Sequence, residues 1–249
     1  MKRSIYRMGA AFAVGACALL GSVAPASADD EGELPELWAI TQGGQFYDNW
    51  AKALFQSPPD ATHPLYPAEG KKKGADTWRC KECHGWDYRG RDGAYASGSH
   101  YTGIKGLREM SGAPPSEIAA VIRGEAHGYT PAMIPERALS SLALFVSRGQ
   151  LDMTRHIDYA TKVARGNAER GARFYQTICA VCHGHNGKQI NFKAPDGVEY
   201  IGTVASANPQ ETLHKIQNGQ PGVPMVSLGA LSTQDLVDIL AYTQTLPQE

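Results

Sequence analysis

Six stretches of the chain place apolar residues three or four positions apart, the interval that lines one face of a helix. Phe46, Tyr47, Trp50 and Leu54 mark the first. Ser116 is placed to cap the next, with Ile118, Val121 and Ile122 on one face and Gly124 at the end. Leu139, Leu142, Phe145 and Val146 follow, closed by Gly149. Beyond a polar stretch, Asn167 can cap a helix carrying Gly171, Phe174 and Tyr175. Asn208 can cap another, with Pro209 in its first turn, Leu213 and Ile216 facing inward and Gly219 at the end. The last opens on Ser232 with Asp235 three residues on, presents Leu236, Ile239 and Leu240, and stops before Pro247.

These elements recur in the same order in two halves. In each, a helix ending in glycine leads into a proline-containing loop with one methionine, Thr130-Pro131-Ala132-Met133 and Gly222-Val223-Pro224-Met225, and a final amphipathic helix closes the half. A glycine at 171 permits close contact with the closing helix, where Tyr242 sits. The first half departs from this plan. Lys72 stands eight residues before Cys80, where the second half has Gly171, and the helix around Trp50 is separated from Cys80 by the proline-rich segment 58–67. Residues 151–165 are polar enough to be a linker.

Each half also contains Cys-x-x-Cys-His: Cys80, Cys83 and His84, then Cys179, Cys182 and His183. At this chain's Cys and His frequencies one such pattern is expected about 0.003 times by chance, so two are not coincidence. The pattern is the attachment signature of c-type haem. Two thiols on one turn reach the two vinyl groups of a porphyrin, and the next imidazole falls beneath its iron. Zinc would want the pair in one half answered by a second ligand pair, whereas each unit here is self-contained. The cofactors expected are two haem c groups with their iron.

The chain begins with Lys2, Arg3 and Arg7 ahead of an apolar run from Ala10 to Leu20, then Ala26-Ser27-Ala28, which reads as a signal peptide over residues 1–28. The mature protein is expected to start at Asp29, without lipidation of Cys17. Covalent haem attachment after export implies a bacterial periplasm or its equivalent. No later segment is apolar and long enough to span a bilayer, so no stable membrane insertion of the mature chain is expected. Removing three of the 24 basic residues leaves 21 against 25 acidic ones, a formal charge of −4, which argues against nucleic acid as a partner. Lys71-Lys72-Lys73 reads as a solvated loop, with docking of an acidic redox partner as the alternative.

With these motifs the chain resembles the class I cytochromes c, specifically soluble two-domain dihaem cytochromes, over about residues 40–249 and most strongly in the second half. The resemblance implies an all-α fold of two tandem cytochrome c-like domains, each wrapped around one haem, at 32–150 and 166–249. It also implies electron transfer between redox partner proteins. The family's proline whose carbonyl accepts the proximal imidazole N–H corresponds to Pro195, with no counterpart in the first half. The sixth ligands expected are Met133 and Met225, which follow His84 and His183 by 49 and 42 residues, with Met110 packing. His127 and His214 are the imidazole alternatives, and His63, His100, His156 and His185 are weaker ones. Tyr88, Arg89, Arg91, Tyr101 and Lys188 could reach haem propionates, although solvated loop positions are the plainer reading. The expectation is a carrier rather than an enzyme. The competing class is a haem enzyme or the electron-accepting subunit of a dehydrogenase, for example one oxidising sulfur compounds. Dihaem thiosulfate dehydrogenases use a cysteine as distal ligand, and all four cysteines after residue 28 belong to the attachment motifs.

Overall fold

A computed structural model describes residues 35–249. The signal peptide, Cys17, the start at Asp29 and the beginning of the domain expected from residue 32 lie outside them. The described residues are helical and contain no strand, only the isolated bridges Gly90 with Lys105 and Ile157 with Ala164. None of their helices is long and apolar enough to cross a membrane.

In chain order the helices are α1 (Glu36–Ala53), α2 (Cys80–His84), α3 (Pro115–Arg123) and α4 (Glu136–Leu144), which a π-helical turn (Phe145–Gly149) prolongs. Then α5 (Ala168–Phe174) runs through another π-helical turn (Tyr175–Cys179) into α6 (Ala180–His183), and α7 (Ile201–Ala207), α8 (Pro209–Asn218) and α9 (Thr233–Thr243) complete the chain. Two caps form as the sequence indicates. Ser232 Oγ accepts the Asp235 N–H at 3.2 Å and Asn167 Oδ1 accepts the Arg170 N–H at 3.0 Å. Asn208 holds the N-cap position of α8, but its side chain makes no capping bond. Ser116 does not cap α3: Pro114 takes that position and Pro115, whose ring fixes φ, starts the helix.

The first half keeps the plan of the second after all. The counterpart of Gly171 is Gly43, with Phe46-Tyr47 standing where the second half has Phe174-Tyr175. A Cβ on Gly43 would lie 2.0 Å from the Ser141 carbonyl oxygen of α4, and one on Gly171 would lie 1.9 Å from that of Asp238 in α9. Helix backbones therefore touch at the same point of each half. Sequence spacing pointed to Lys72 because 33 positions separate Tyr47 from Cys80 where 4 separate Tyr175 from Cys179. The extra chain folds back on α1, where Trp50 Nε1 donates to the Trp78 carbonyl at 2.9 Å.

One apolar cluster runs through both halves, joining Tyr47, Trp50, Leu142 and Phe145 to Leu213, Ile216, Leu236 and Leu240. The segment 151–165 takes part: Met153, Ile157 and Ala164 are buried, and Tyr159 Oη donates to Asp87 Oδ2 at 3.0 Å. Between the halves His214 is fully buried. Its Nε2 donates to the Gly44 carbonyl at 2.9 Å and its Nδ1 accepts from Tyr88 Oη at 2.8 Å, a pairing that requires the neutral ring. Burial lowers the imidazole to about 4, in keeping with that state.

Beside it, buried Asp48 of α1 pairs with Arg79 at 2.5 Å and with Lys215 of α8 at 2.9 Å. Burial alone would raise the carboxyl, but Lys215 and Arg79 outweigh it and hold the group at about 2. Asp48→Asn leaves both cations facing a neutral amide and is expected to cost about 3 kcal/mol at neutral pH. The folded value lies below the ordinary 3.8, so this stabilisation is complete above about pH 4 and fades as pH falls toward 2. Urea unfolding of both proteins should show the gap at pH 7 and its narrowing below pH 4. A gap independent of pH would refute the ionic origin.

Candidate haem centres

α2 places Cys80, Cys83 and His84 on a little over one turn, and α6 with the preceding π-helical turn does the same for Cys179, Cys182 and His183. All four thiols are free. Burial pushes those of Cys80 and Cys83 up to about 12 and that of Cys179 up to about 11, the reverse of the lowered values of disulfide-exchange Cys-x-x-Cys sites. No group of three or more His, Cys, Asp or Glu side chains converges as a metal cage among the described residues. A haem needs no such cage, since its porphyrin supplies four ligands and the protein one or two.

Each motif ends in a glycine with the same left-handed backbone, φ 79° and ψ 159° at Gly85 and φ 78° and ψ 156° at Gly184. The following loop turns back identically in both halves: the Gly90 N–H donates to the His84 carbonyl at 2.8 Å and the Gln189 N–H to that of His183 at 3.0 Å. The glycine carbonyl is clamped in both. Tyr47 Oη donates to Gly85 at 2.5 Å and Tyr175 Oη to Gly184 at 3.2 Å. Tyr47 also lies 5.5 Å from Phe145, and Tyr175 lies 5.3 Å from Tyr242, so each tyrosine joins its motif to the closing helix.

The imidazoles differ in support. His84 Nδ1 donates to the Lys105 carbonyl at 2.8 Å, which leaves the ring's lone pair on Nε2, the nitrogen that could bind a metal. Burial lowers the ring to about 4, keeping it in the neutral form a metal requires. The Lys105 carbonyl thus accepts from the imidazole in the half that offered no matching proline; a backbone carbonyl has no residue signature, so sequence could not reveal it. His183 Nδ1 is buried without a hydrogen-bond partner, and the Pro195 carbonyl does not accept from it. Burial lowers this ring as well.

Met133 and Met110 both pack, half-buried, against the apolar cluster. Met225 is half-buried and stands outside both apolar clusters of the described residues. His127 lies with its ring centre 6.1 Å from that of His84, whereas His214 is committed to Gly44 and Tyr88 and approaches neither motif imidazole. Tyr88 is fully buried in that bond and is not a propionate partner. Arg89 donates to the Asp92 carbonyl at 3.4 Å, Arg91 donates to that of Gly103 at 3.2 Å, and Lys188 lies over Tyr200, the loop roles expected of them. His100 is tied to Glu82 at 2.9 Å and His185 to Gln176 at 2.6 Å. Sequence reasoning missed the two residues between the first cysteines. Lys81 and Glu82 are buried, paired with each other, and Lys81 sits over Trp86. Burial would raise the Glu82 carboxyl, but His100 and Lys81 hold it at about 2.

Residues 168–247 match the Cytochrome c family model. That stretch, from α5 to just past α9, is similar to the cytochrome c domain, a family that binds haem c and carries electrons. No curated protein is similar enough to the chain to count as a match.

Tyr47→Phe strands a buried carbonyl and should lower stability by about 1–2 kcal/mol, whereas Tyr175→Phe, whose bond is longer and less enclosed, should cost less. Urea midpoints of the haem-loaded variants measure both. Equal losses would mean that the clamp is not what distinguishes them.

Proposed function

We propose that the chain is a periplasmic dihaem cytochrome c that passes electrons between redox partner proteins, exported by a signal peptide over residues 1–28. Its domains are 32–150 and 166–249, joined by 151–165. The observation that carries the reading is the repeated motif geometry: the same glycine turn, tyrosine clamp and backbone-to-backbone helix crossing surround both Cys-x-x-Cys-His units. The family match covers only the second unit, so the first is assigned by this likeness.

In this reading the thiols of Cys80 and Cys83, and of Cys179 and Cys182, form the thioether links, and His84 and His183 bind iron through Nε2. Bound haem supplies the ferric–ferrous couple. The protein's own work is to hold the imidazoles neutral and aimed, and to fill the sixth position so that no substrate enters. Met225 fills it in the second domain, where a soft thioether favours ferrous iron and raises the potential.

The intact mass of the purified protein should equal residues 29–249 plus two haems. A mass with one haem would sink the dihaem reading, and a retained leader would sink the export reading. Met225→Ala should lower the potential of the second haem and let its ferrous form bind carbon monoxide. A variant still closed to carbon monoxide would show that Met225 is not the ligand.

A further inference from the structure

We infer that His127, not Met133, is the sixth ligand of the first haem, so that one domain is bis-histidine and the other histidine–methionine. The inference rests on the proposed attachment of haem at Cys80 and Cys83.

The rings of His84 and His127 have centres 6.1 Å apart and planes inclined at 36°. A metal bonded to one nitrogen of each ring at about 2 Å, with each ring centre about 1 Å behind its nitrogen, requires a separation of about 6 Å. Distance alone does not decide the matter, since Phe192 lies 6.2 Å from His183 and has no donor. The hydrogen bonds decide it. His84 Nδ1 donates to the Lys105 carbonyl at 2.8 Å and His127 Nδ1 to the Val121 carbonyl at 3.1 Å. Each ring is thereby set in the tautomer whose Nε2 carries a lone pair, and no described residue takes either Nε2. Two imidazoles about 6 Å apart, each bonded through Nδ1 to a backbone carbonyl, have the separation and the tautomers that two ligands on one iron require.

The backbone of His127 is fixed as firmly. Its N–H donates to the Gly124 carbonyl at 3.1 Å, and its own carbonyl accepts from His63 Nε2 at 3.0 Å. His63 Nδ1 accepts the Leu65 N–H at 3.2 Å, which fixes Nε2 as the protonated nitrogen, and its ring packs edge-on against Trp78 at 4.4 Å. His63, Leu65 and Trp78 all belong to the chain inserted before the first motif. The second half lacks that insertion, and its loop from Gly219 to Met225 contains no histidine. Met133 meanwhile packs, half-buried, against the apolar cluster.

The test uses the full exported chain, with two attached haems verified by mass. In the ferric wild type the near-infrared sulfur-to-iron band should have the intensity of one haem. Met133→Leu should leave that band unchanged, and Met225→Ala should abolish it. His127→Ala should open the first haem to carbon monoxide in the ferrous state. His127→Met should double the band and raise the first potential, because thioether replaces imidazole. If His127→Ala does not accumulate, wild-type intensity and Met133→Leu still decide. A two-haem band that halves in Met133→Leu would overturn the ligand assignment while leaving the dihaem reading intact. A chain without haem at Cys80 and Cys83 would overturn both.

Discussion

Everything around the two motifs depends on helices that cross with backbone against backbone. At Gly43 and Gly171 a single added carbon would stand about 2 Å from a carbonyl oxygen of the closing helix. Removing the side chain lets the axes approach closer than ordinary ridge packing allows. One turn further along, the close crossing leaves a tyrosine wedged between the closing helix and the motif. Its hydroxyl can then reach the glycine carbonyl that follows the histidine. Any larger residue at the crossing would push the tyrosine off that carbonyl and release the turn that aims the imidazole.

What was legible in the sequence is what residue type encodes. The faces of α4, α8 and α9, the caps at Asn167 and Ser232 and the Gly171 contact could all be read because each needs particular side chains at fixed spacing. Three features could not be read, each for its own reason. Gly43 was hidden because an insertion breaks the spacing that identifies its partner. The Lys105 carbonyl carries no signature, since every residue has one. Met153 and Ile157 are buried without any helical or strand period in a polar stretch, so composition pointed to solvent. Position in the repeat pointed to Met133, and the approach of the His127 ring to that of His84 carries no signal in the sequence.

The contact between the halves joins polar groups as well as apolar ones. α8 brings His214 to the Gly44 carbonyl and Lys215 to Asp48, both on α1, so two consecutive residues of the second half are spent on one helix of the first. A neutral histidine is tolerated there because Tyr88 and Gly44 satisfy both ring nitrogens. The buried carboxylate is tolerated because it meets two cations. Such groups are costly to bury unless their partners arrive in register, so this contact specifies one relative placement of the halves more sharply than apolar packing alone.

The inserted chain before the first motif explains why two copies of one plan need not carry the same ligand. An insertion at that point leaves α1, α4 and the motif itself where the repeat puts them, because the glycine crossing and the tyrosine clamp are made by residues outside it. Besides α1, it lies against the loop after α3, where His63 takes hold of the His127 carbonyl. With imidazole as the harder ligand, the proposed bis-histidine iron favours the ferric state more than the histidine–methionine iron does. An electron on the molecule is then drawn toward the second domain. In that proposal the difference between the two irons would be set by a segment that supplies neither an attachment cysteine nor an iron ligand, added to one half of a repeated design.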